Sequence, residues 1–118
     1  MTDRINKINQ AVKREVGEIL QQELRDPRVE FVTITAAEVS RDLQRAWIYY
    51  SVLGDEAKTK AAQQALNSAT GLVRKLVGQR VRMRYTPQIE FVLDKSIAYS
   101  MRIEATIERI KSEQPKDS

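Results

Sequence analysis

Two segments rich in β-branched and aromatic residues flank a short polar turn, and they constrain the fold more than any other feature of the sequence. Residues 30–39 read EFVTITAAEV, residues 45–53 read RAWIYYSVL, and SRDL begins the connection between them. Such segments favour extended backbone, and the short connection predicts an antiparallel hairpin. Alternation along the second strand gives one face made of Ala46, Ile48, Tyr50 and Val52. That face is apolar and must be covered by helices.

The N-terminal segment, residues 4–25, predicts an amphipathic helix. Its apolar residues recur at spacings of three and four: Ile5, Ile8, Val12, Val16, Ile19, Leu20 and Leu24. Gly17 weakens the helix by about 1 kcal/mol relative to alanine, so tertiary packing must hold it. Pro27 stops the helix, because the residue before a proline avoids the helical region. The basic residues off the stripe favour a solvated face: Arg4, Lys7, Lys13 and Arg14.

The remaining chain predicts two more helices, a strand, a last helix and a tail. The segments are a helix over 57–67 opened by Gly54 and Asp55, a helix from Leu72 that continues past Gly78 because Val81 keeps the apolar period, a strand over 88–94, a helix over 97–111 and a polar, flexible tail over 112–118. This order predicts one α+β domain over residues 1–111. Its sheet is small, three-stranded and mixed, with helices packed on one face.

The stretch ALNSATG, residues 65–71, interrupts the helical pattern. Asn, Ser and Thr compete with the backbone for hydrogen bonds, and Gly carries the largest entropy cost, so a break is predicted here. A helix that restarts at Gly71 exposes unpaired N–H groups, which form a natural anion site. Arg74 and Lys75, one turn further, supply the counter-charge. A plain connection between two helices is the alternative.

The composition excludes several classes of function. The 118 residues include neither cysteine nor histidine, which removes the usual zinc sites and histidine-based acid–base catalysis. The four glycines match no phosphate-binding loop. No apolar run approaches the ~20 residues of a membrane span, and the N-terminus is too polar for a signal peptide. We expect a cytoplasmic protein that is not an enzyme and has no cofactor, no metal and no membrane partner.

The charge is modestly basic, with 20 Lys and Arg against 16 Asp and Glu. A run without any acidic residue contains Arg74, Lys75, Arg80, Arg82 and Arg84. The run is compatible with nucleic-acid binding, and a merely solvated surface is the alternative. Trp47, Tyr49 and Tyr50 offer either a stacking platform or ordinary packing between strand and helix.

The order of elements resembles a type II KH domain, in which a Gly-x-x-Gly loop between two helices holds the nucleotide backbone. This chain has Ala69-Thr70-Gly71 instead, and this helix-kink-helix motif is similar to that of the bacterial ribosome-binding factor A family. The motifs ELRDPRV at 23–29, YSVLGDE at 50–56, ALNSATG at 65–71 and RVRMRYTPQIEFVLDKSI at 80–97 agree with that family. The resemblance covers nearly the whole chain. Arg41 departs from it, since the family often has proline in this turn.

The resemblance implies a KH-like, monomeric RNA-binding assembly factor. Such factors bind the immature small (30S) ribosomal subunit, act late in 16S rRNA maturation and matter most in the cold. A ribosome-associated GTPase promotes their release, and no catalytic residue or cofactor is implied. The RNA contacts carried over are Ser68, Ala69, Thr70 and Gly71, with the basic residues Arg74, Lys75, Arg80, Arg82 and Arg84. A protein-interaction adaptor that docks through the third strand or last helix, without RNA contact, is the alternative.

Overall fold

The computed structural model describes residues 2–95, which form two long helices and one sheet. The elements are α1 (Thr2–Gln22), a 3₁₀ turn (Pro27–Val29), β1 (Val32–Val39), β2 (Arg45–Val52), α2 (Glu56–Arg80) and β3 (Gln88–Leu93). The predicted α+β class and the three predicted strands are confirmed. The helix predicted over 97–111 and the tail over 112–118 lie outside the described residues.

The sheet is mixed, as predicted, and β2 is its central strand. β2 runs antiparallel to β1 and parallel to β3, in the order β1-β2-β3. The register of β1 shifts between Ile34 and Ala36, so Thr35 is an extra residue that forms a β-bulge. The Thr35 hydroxyl donates a 2.7 Å hydrogen bond to the carboxylate of Asp94, just after β3. This contact joins the two outer strands across β2.

One face of the sheet forms the core together with both helices. Ala46, Ile48 and Tyr50 are buried, which confirms the alternation predicted for β2. The helices contribute the buried residues Val12, Val16, Ile19, Leu20, Ala65, Leu66, Val73 and Val77. The Tyr50 ring meets Phe91 edge-on, with centroids 6.2 Å apart. Burial raises the pKa of the Tyr50 hydroxyl.

The helix α1 ends at Gln22, a full turn before Pro27, rather than at the predicted residue 25. Pro27 does not simply stop a helix. It begins the 3₁₀ turn, and the Asp26 carboxylate caps that turn by accepting the Arg28 N–H at 2.9 Å. The Arg28 guanidinium bonds the same carboxylate and lowers the pKa of Asp26.

The predicted break at Ala69-Thr70-Gly71 is wrong, because α2 runs without interruption from Glu56 to Arg80. Asp55 caps its start, as expected, by accepting the Lys58 N–H at 2.9 Å. Placing these residues inside a helix costs free energy relative to alanine: up to about 0.7 kcal/mol each for Asn, Ser and Thr, and about 1 kcal/mol for Gly. The total is roughly 3 kcal/mol. Burial of Leu66 and Val73, which are fully buried, returns about 1.5–3 kcal/mol each. Tertiary packing therefore outweighs local preference.

Candidate nucleic-acid interface

The continuous helix removes the anion site that was predicted at a restarted helix N-terminus. Within α2, the N–H of Gly71 belongs to a helical turn rather than to an exposed end. Gly71 also lies outside the left-handed region, since Gly54 is the glycine with positive φ among residues 2–95. A phosphate at this surface must therefore be held by side chains and not by free backbone donors.

The four residues of the predicted docking stretch divide into two pairs. Ser68 and Gly71 are exposed, one turn apart, on the outer side of α2, whereas Ala69 and Thr70 are half-buried. The Thr70 hydroxyl donates to the Leu66 carbonyl at 3.0 Å, a contact that favours a slight bend in a helix. No atom lies within 4 Å of the position a Cβ at Gly71 would occupy. The helix backbone is therefore approachable from outside at this point.

Arg74 supports the structure beneath this surface. Its Nε donates to the Pro87 carbonyl at 3.0 Å and its Nη2 donates to the Thr86 carbonyl at 2.9 Å. The side chain is half-buried between α2 and the segment that leads into β3. Arg74 thus fixes the position of residues 81–87, which we call the 81–87 loop.

Arg80 is engaged inside the molecule as well. Its guanidinium lies 2.9 Å from a carboxylate oxygen of Glu23 and 3.7 Å from one of Glu15, and its side chain is 25% exposed. These contacts join the end of α2 to α1. Glu15 and Glu23 are far from Arg80 in the sequence, so the run of basic residues could not indicate these ion pairs.

The other three predicted cations are exposed: Lys75, Arg82 and Arg84. None of them has an ion pair with another residue of the described part of the chain. Lys75 lies one turn beyond Gly71 on α2. Arg82 and Arg84 belong to the 81–87 loop rather than to a helix, because α2 ends at Arg80.

Tyr85 adds an aromatic ring that sequence reasoning missed. Its side chain is 54% exposed, and the Arg84 guanidinium lies 5.9 Å from its ring centroid. The pattern RMRY, basic residues interleaved with an aromatic one, is the signal that was available in the sequence. Exposed rings beside cations are the usual platform for unpaired bases.

The 81–87 loop is held tightly against α2, which fixes where its cations and ring stand. Val81 and Pro87 are buried at its two ends. At Gly78 an added Cβ would lie 2.7 Å from the Thr86 hydroxyl oxygen, so any larger residue would force the Thr86 side chain to shift. Together, the exposed side of α2 from Ser68 to Lys75 and this loop form one surface, which we call the α2–loop surface.

The other aromatic residues named from the sequence lie elsewhere. Tyr50 packs in the core, which excludes it from a stacking platform. Trp47 and Tyr49 are half-buried on the opposite face of β2, and Arg45 lies 5.6 Å from the centre of the Trp47 ring system. Arg45 also pairs with Glu90 at 3.0 Å.

Between residues 2 and 95, no cluster of three or more metal-binding side chains occurs. Neither helix in that range combines the length and apolar character that crossing a bilayer requires.

Comparison with known proteins settles the family. The model of a family described as ribosome-binding factor A matches residues 4–107. The chain belongs to the ribosome-binding factor A family. A ribosome-binding factor A from Geotalea uraniireducens (strain Rf4) is 43% identical over 117 residues, which span 99% of this chain and 96% of that protein.

Solved structures of ribosome-binding factor A share the fold. The crystal structure of the Thermus thermophilus factor has a TM-score of 0.68 and 29% identity, over 75% of this chain and 94% of its own. A solution structure of a Thermotoga maritima protein described as a possible ribosome-binding factor A has a TM-score of 0.66 and 33% identity, over 75% and 85%. A homology model of the Thermus thermophilus factor, fitted into a cryo-electron microscopy map of its 30S complex, has a TM-score of 0.60 and 30% identity, over 72% and 89%.

Proposed function

We propose that this chain binds 16S rRNA on the small ribosomal subunit through the α2–loop surface. The observation that carries the proposal is the division among its five predicted cations. Arg74 and Arg80 are used within the fold, while Lys75, Arg82 and Arg84 are exposed and unpaired within residues 2–95. Three free cations beside an exposed tyrosine and an open glycine offer phosphate contacts, a stacking ring and close approach to one RNA strand.

Membership of the ribosome-binding factor A family supports the subunit as the partner, since a Thermus thermophilus relative has been fitted to a 30S complex. On this proposal the chain is a KH-like cytoplasmic monomer without catalytic activity. It acts late in 16S rRNA maturation, is most needed in the cold and leaves the subunit with the help of a GTPase.

In the proposed mechanism, the α2–loop surface positions an RNA strand. Phosphate contacts by Lys75, Arg82 and Arg84 set the orientation of the RNA strand without reading its sequence. Stacking on an aromatic ring contributes about 1–3 kcal/mol per base, and Tyr85 is placed to supply it. Arg74 and Gly78 contribute indirectly, because they hold the loop that carries these groups.

Sedimentation with purified small subunits tests the proposal. The wild-type chain is expected to travel with free small subunits, and a double Arg82→Gln, Arg84→Gln variant is expected to remain near the top of the gradient. The matched control is Arg41→Gln with Lys60→Gln, which removes the same charge at exposed positions. Lys60 lies about 22 Å along α2 from Lys75, at 1.5 Å per residue.

Equal loss of binding in the two double variants would mean that net charge matters and the α2–loop surface does not. Unchanged binding in both would favour the protein-interaction adaptor. A further comparison of growth and 16S rRNA processing at low and at ordinary temperature tests the maturation and cold-adaptation parts of the proposal.

A further inference from the structure

The helix α1 carries a row of exposed cations that the α2–loop surface does not include. Arg4, Lys7 and Arg14 are exposed, and at about 100° per residue they fall within about 80° of one another around the helix. The buried residues Val12 and Val16 lie on the opposite side of α1. We call Arg4, Lys7 and Arg14 the α1 basic row.

Ion pairs within the fold leave most of this charge free. No carboxylate of residues 4–95 lies within 4 Å of the side-chain nitrogens of Arg4 or Lys7. Arg14 lies 3.6 Å from its neighbour Glu15, yet its side chain remains 67% exposed. No acidic residue occurs in the sequence between Arg4 and Arg14. The acidic residues of α1 flank the row, with Asp3 before it and Glu15 and Glu18 after it.

The position of the row does not favour the stability of the helix. A helix carries a partial positive charge at its N-terminal end, so cations are unfavourable there and favourable in the last turn. Arg4 lies in the first turn of α1, whereas the last turn has no basic residue. A local arrangement that costs stability without a compensating contact is typical of a functional surface.

The row faces the same way as the exposed side of α2. Both helices bury residues against one face of the sheet, so their outer sides point away from that face together. Arg80, at the end of α2, lies 3.7 Å from a carboxylate oxygen of Glu15, which places the middle of α1 beside the end of α2. The row therefore continues the α2–loop surface, and one nucleic acid can contact both.

The two surfaces differ in what they recognise. Residues 2–22 contain no aromatic side chain, so the row offers charge alone, whereas the α2–loop surface adds the exposed ring of Tyr85. Double-stranded RNA is recognised mostly by its shape and its phosphates, and unpaired bases are stacked on aromatic rings. The row spans about 15 Å along α1, at 1.5 Å per residue. Cations spaced over that length, without a ring, suit the backbone of a duplex.

We propose that the α1 basic row binds the phosphate backbone of an RNA duplex that continues into the single strand held by the α2–loop surface. On this proposal the chain recognises a junction between paired and unpaired RNA rather than either part alone. An acidic protein would also match the charge of the row, but continuity with the α2–loop surface favours RNA. The inference rests on the proposed function, which supplies the single strand.

Binding to three RNAs, measured by fluorescence anisotropy over a range of salt concentrations, tests this. The RNAs are a short single strand, a blunt hairpin, and the same hairpin extended by that single strand. The wild type is expected to bind the extended hairpin more tightly than either part. Arg4→Gln with Lys7→Gln is expected to make the slope of log affinity against log salt shallower by about 1.4–1.8 on the extended hairpin, at about 0.7–0.9 per phosphate contact. Its affinity for the single strand should equal that of the wild type.

Three further variants serve as controls. Arg82→Gln with Arg84→Gln is expected to weaken binding of the single strand and to leave binding of the blunt hairpin unchanged. Arg4→Lys with Lys7→Arg keeps both charges and is expected to bind as the wild type does. Lys60→Gln with Lys95→Gln removes the same charge at other exposed positions and is expected to keep the wild-type slope.

A thermal melt followed by circular dichroism separates binding from folding. Arg4→Gln with Lys7→Gln is expected to melt at the wild-type temperature or slightly above it, because a cation leaves the positive end of the helix. A wild-type slope and affinity of this variant on the extended hairpin would overturn the inference. So would an equal loss of binding to the single strand, or the same loss in Lys60→Gln with Lys95→Gln.

The single-strand measurements keep the two proposals apart. If the single strand binds and Arg82→Gln with Arg84→Gln weakens it, the proposed function stands whatever α1 does. If the wild type binds none of the three RNAs, both proposals fail, and an acidic protein becomes the better partner for the row.

Discussion

Gly71 and Gly78 lie about two turns apart on the exposed side of α2, and replacement of each by alanine is expected to have different effects on stability. A Cβ at position 71 has no atom within 4 Å, whereas a Cβ at position 78 lies 2.7 Å from the Thr86 Oγ1 and 3.2 Å from its Cγ2. Rotation of the threonine side chain cannot clear both atoms. Rotation relieves the closer contact, and the 81–87 loop must give by a few tenths of an ångström to relieve the other.

The magnitudes follow from these contacts. Alanine gains about 0.5–1 kcal/mol over glycine inside a helix, and at position 71 nothing opposes the gain. For a domain of this size that raises the Tm by about 2–8 °C. At position 78 the same gain is set against about 1–3 kcal/mol for overpacking. The expected net change at 78 lies between zero and a loss of about 2.5 kcal/mol, the difference of these two ranges.

Urea unfolding followed by circular dichroism measures both free energies, and binding to a 16S rRNA fragment is measured on the same samples. Gly71→Ala is expected to be more stable than the wild type and to bind less tightly, because its methyl group covers the open backbone. Gly78→Ala is expected to bind less tightly because the loop is displaced. Equal stabilisation by both substitutions would refute the packing of the loop on α2. Unchanged binding by a stabilised Gly71→Ala variant would show that RNA does not approach the helix at Gly71.

Three further predictions concern the support of the fold. Arg74→Gln is expected to lower the free energy of unfolding by about 1.5–3 kcal/mol, because a charged donor loses its hydrogen bonds to the carbonyls of Thr86 and Pro87. Urea titration measures this loss. A loss within about 0.5 kcal/mol, which is typical of surface substitutions, would contradict the prediction. Burial raises the pKa of Tyr50. The contribution of the neutral tyrosine to the free energy of unfolding is therefore fully present below pH about 10, the ordinary pKa of tyrosine, and is lost as the pH rises through the folded pKa. Tyr50→Phe should therefore make alkaline unfolding less steep, and an unchanged profile would count against this reasoning. Truncation before Gln114 should leave the Tm unchanged, since the removed residues are polar, and a sharp drop in a thermal melt would exclude a dispensable tail.

The sequence predicted the strands and their buried faces well because each signal was local. Alternation identified the buried side of β2, and the short SRDL turn indicated an antiparallel hairpin. Asp55 marked the start of α2 correctly. The bulge at Thr35 and its bond to Asp94 could not be predicted, since the partners are 59 residues apart and meet only in the folded sheet.

The break in α2 was mispredicted because local propensity was weighed without its tertiary counterpart. Asn, Ser, Thr and Gly each disfavour a helix, but Leu66 and Val73 stay in phase across them and are buried. The apolar period was visible in the sequence on both sides of the stretch. Its continuity was the better guide to the helix.

The candidate site, too, could be predicted only in part from the sequence. The sequence identified five basic residues but could not separate Arg74 and Arg80 from the exposed three, because their partners come from the segment before β3 and from α1. The side-chain contacts of Arg74 with Thr86 and Pro87 depend on how the loop returns to the sheet. Charge in a sequence thus indicated a surface, and the fold decided which cations are free.

The salt dependence of rRNA binding tests the α2–loop surface most directly. Binding of a single-stranded 16S rRNA fragment is titrated against salt for the wild type, for Arg82→Gln with Arg84→Gln, and for the control Arg41→Gln with Lys60→Gln. Loss of two phosphate contacts is expected to make the slope of log affinity against log salt shallower by about 1.4, at about 0.7 per contact, while the control keeps the wild-type slope. A double Arg82→Gln, Arg84→Gln variant with the wild-type slope and affinity would contradict RNA binding through this surface.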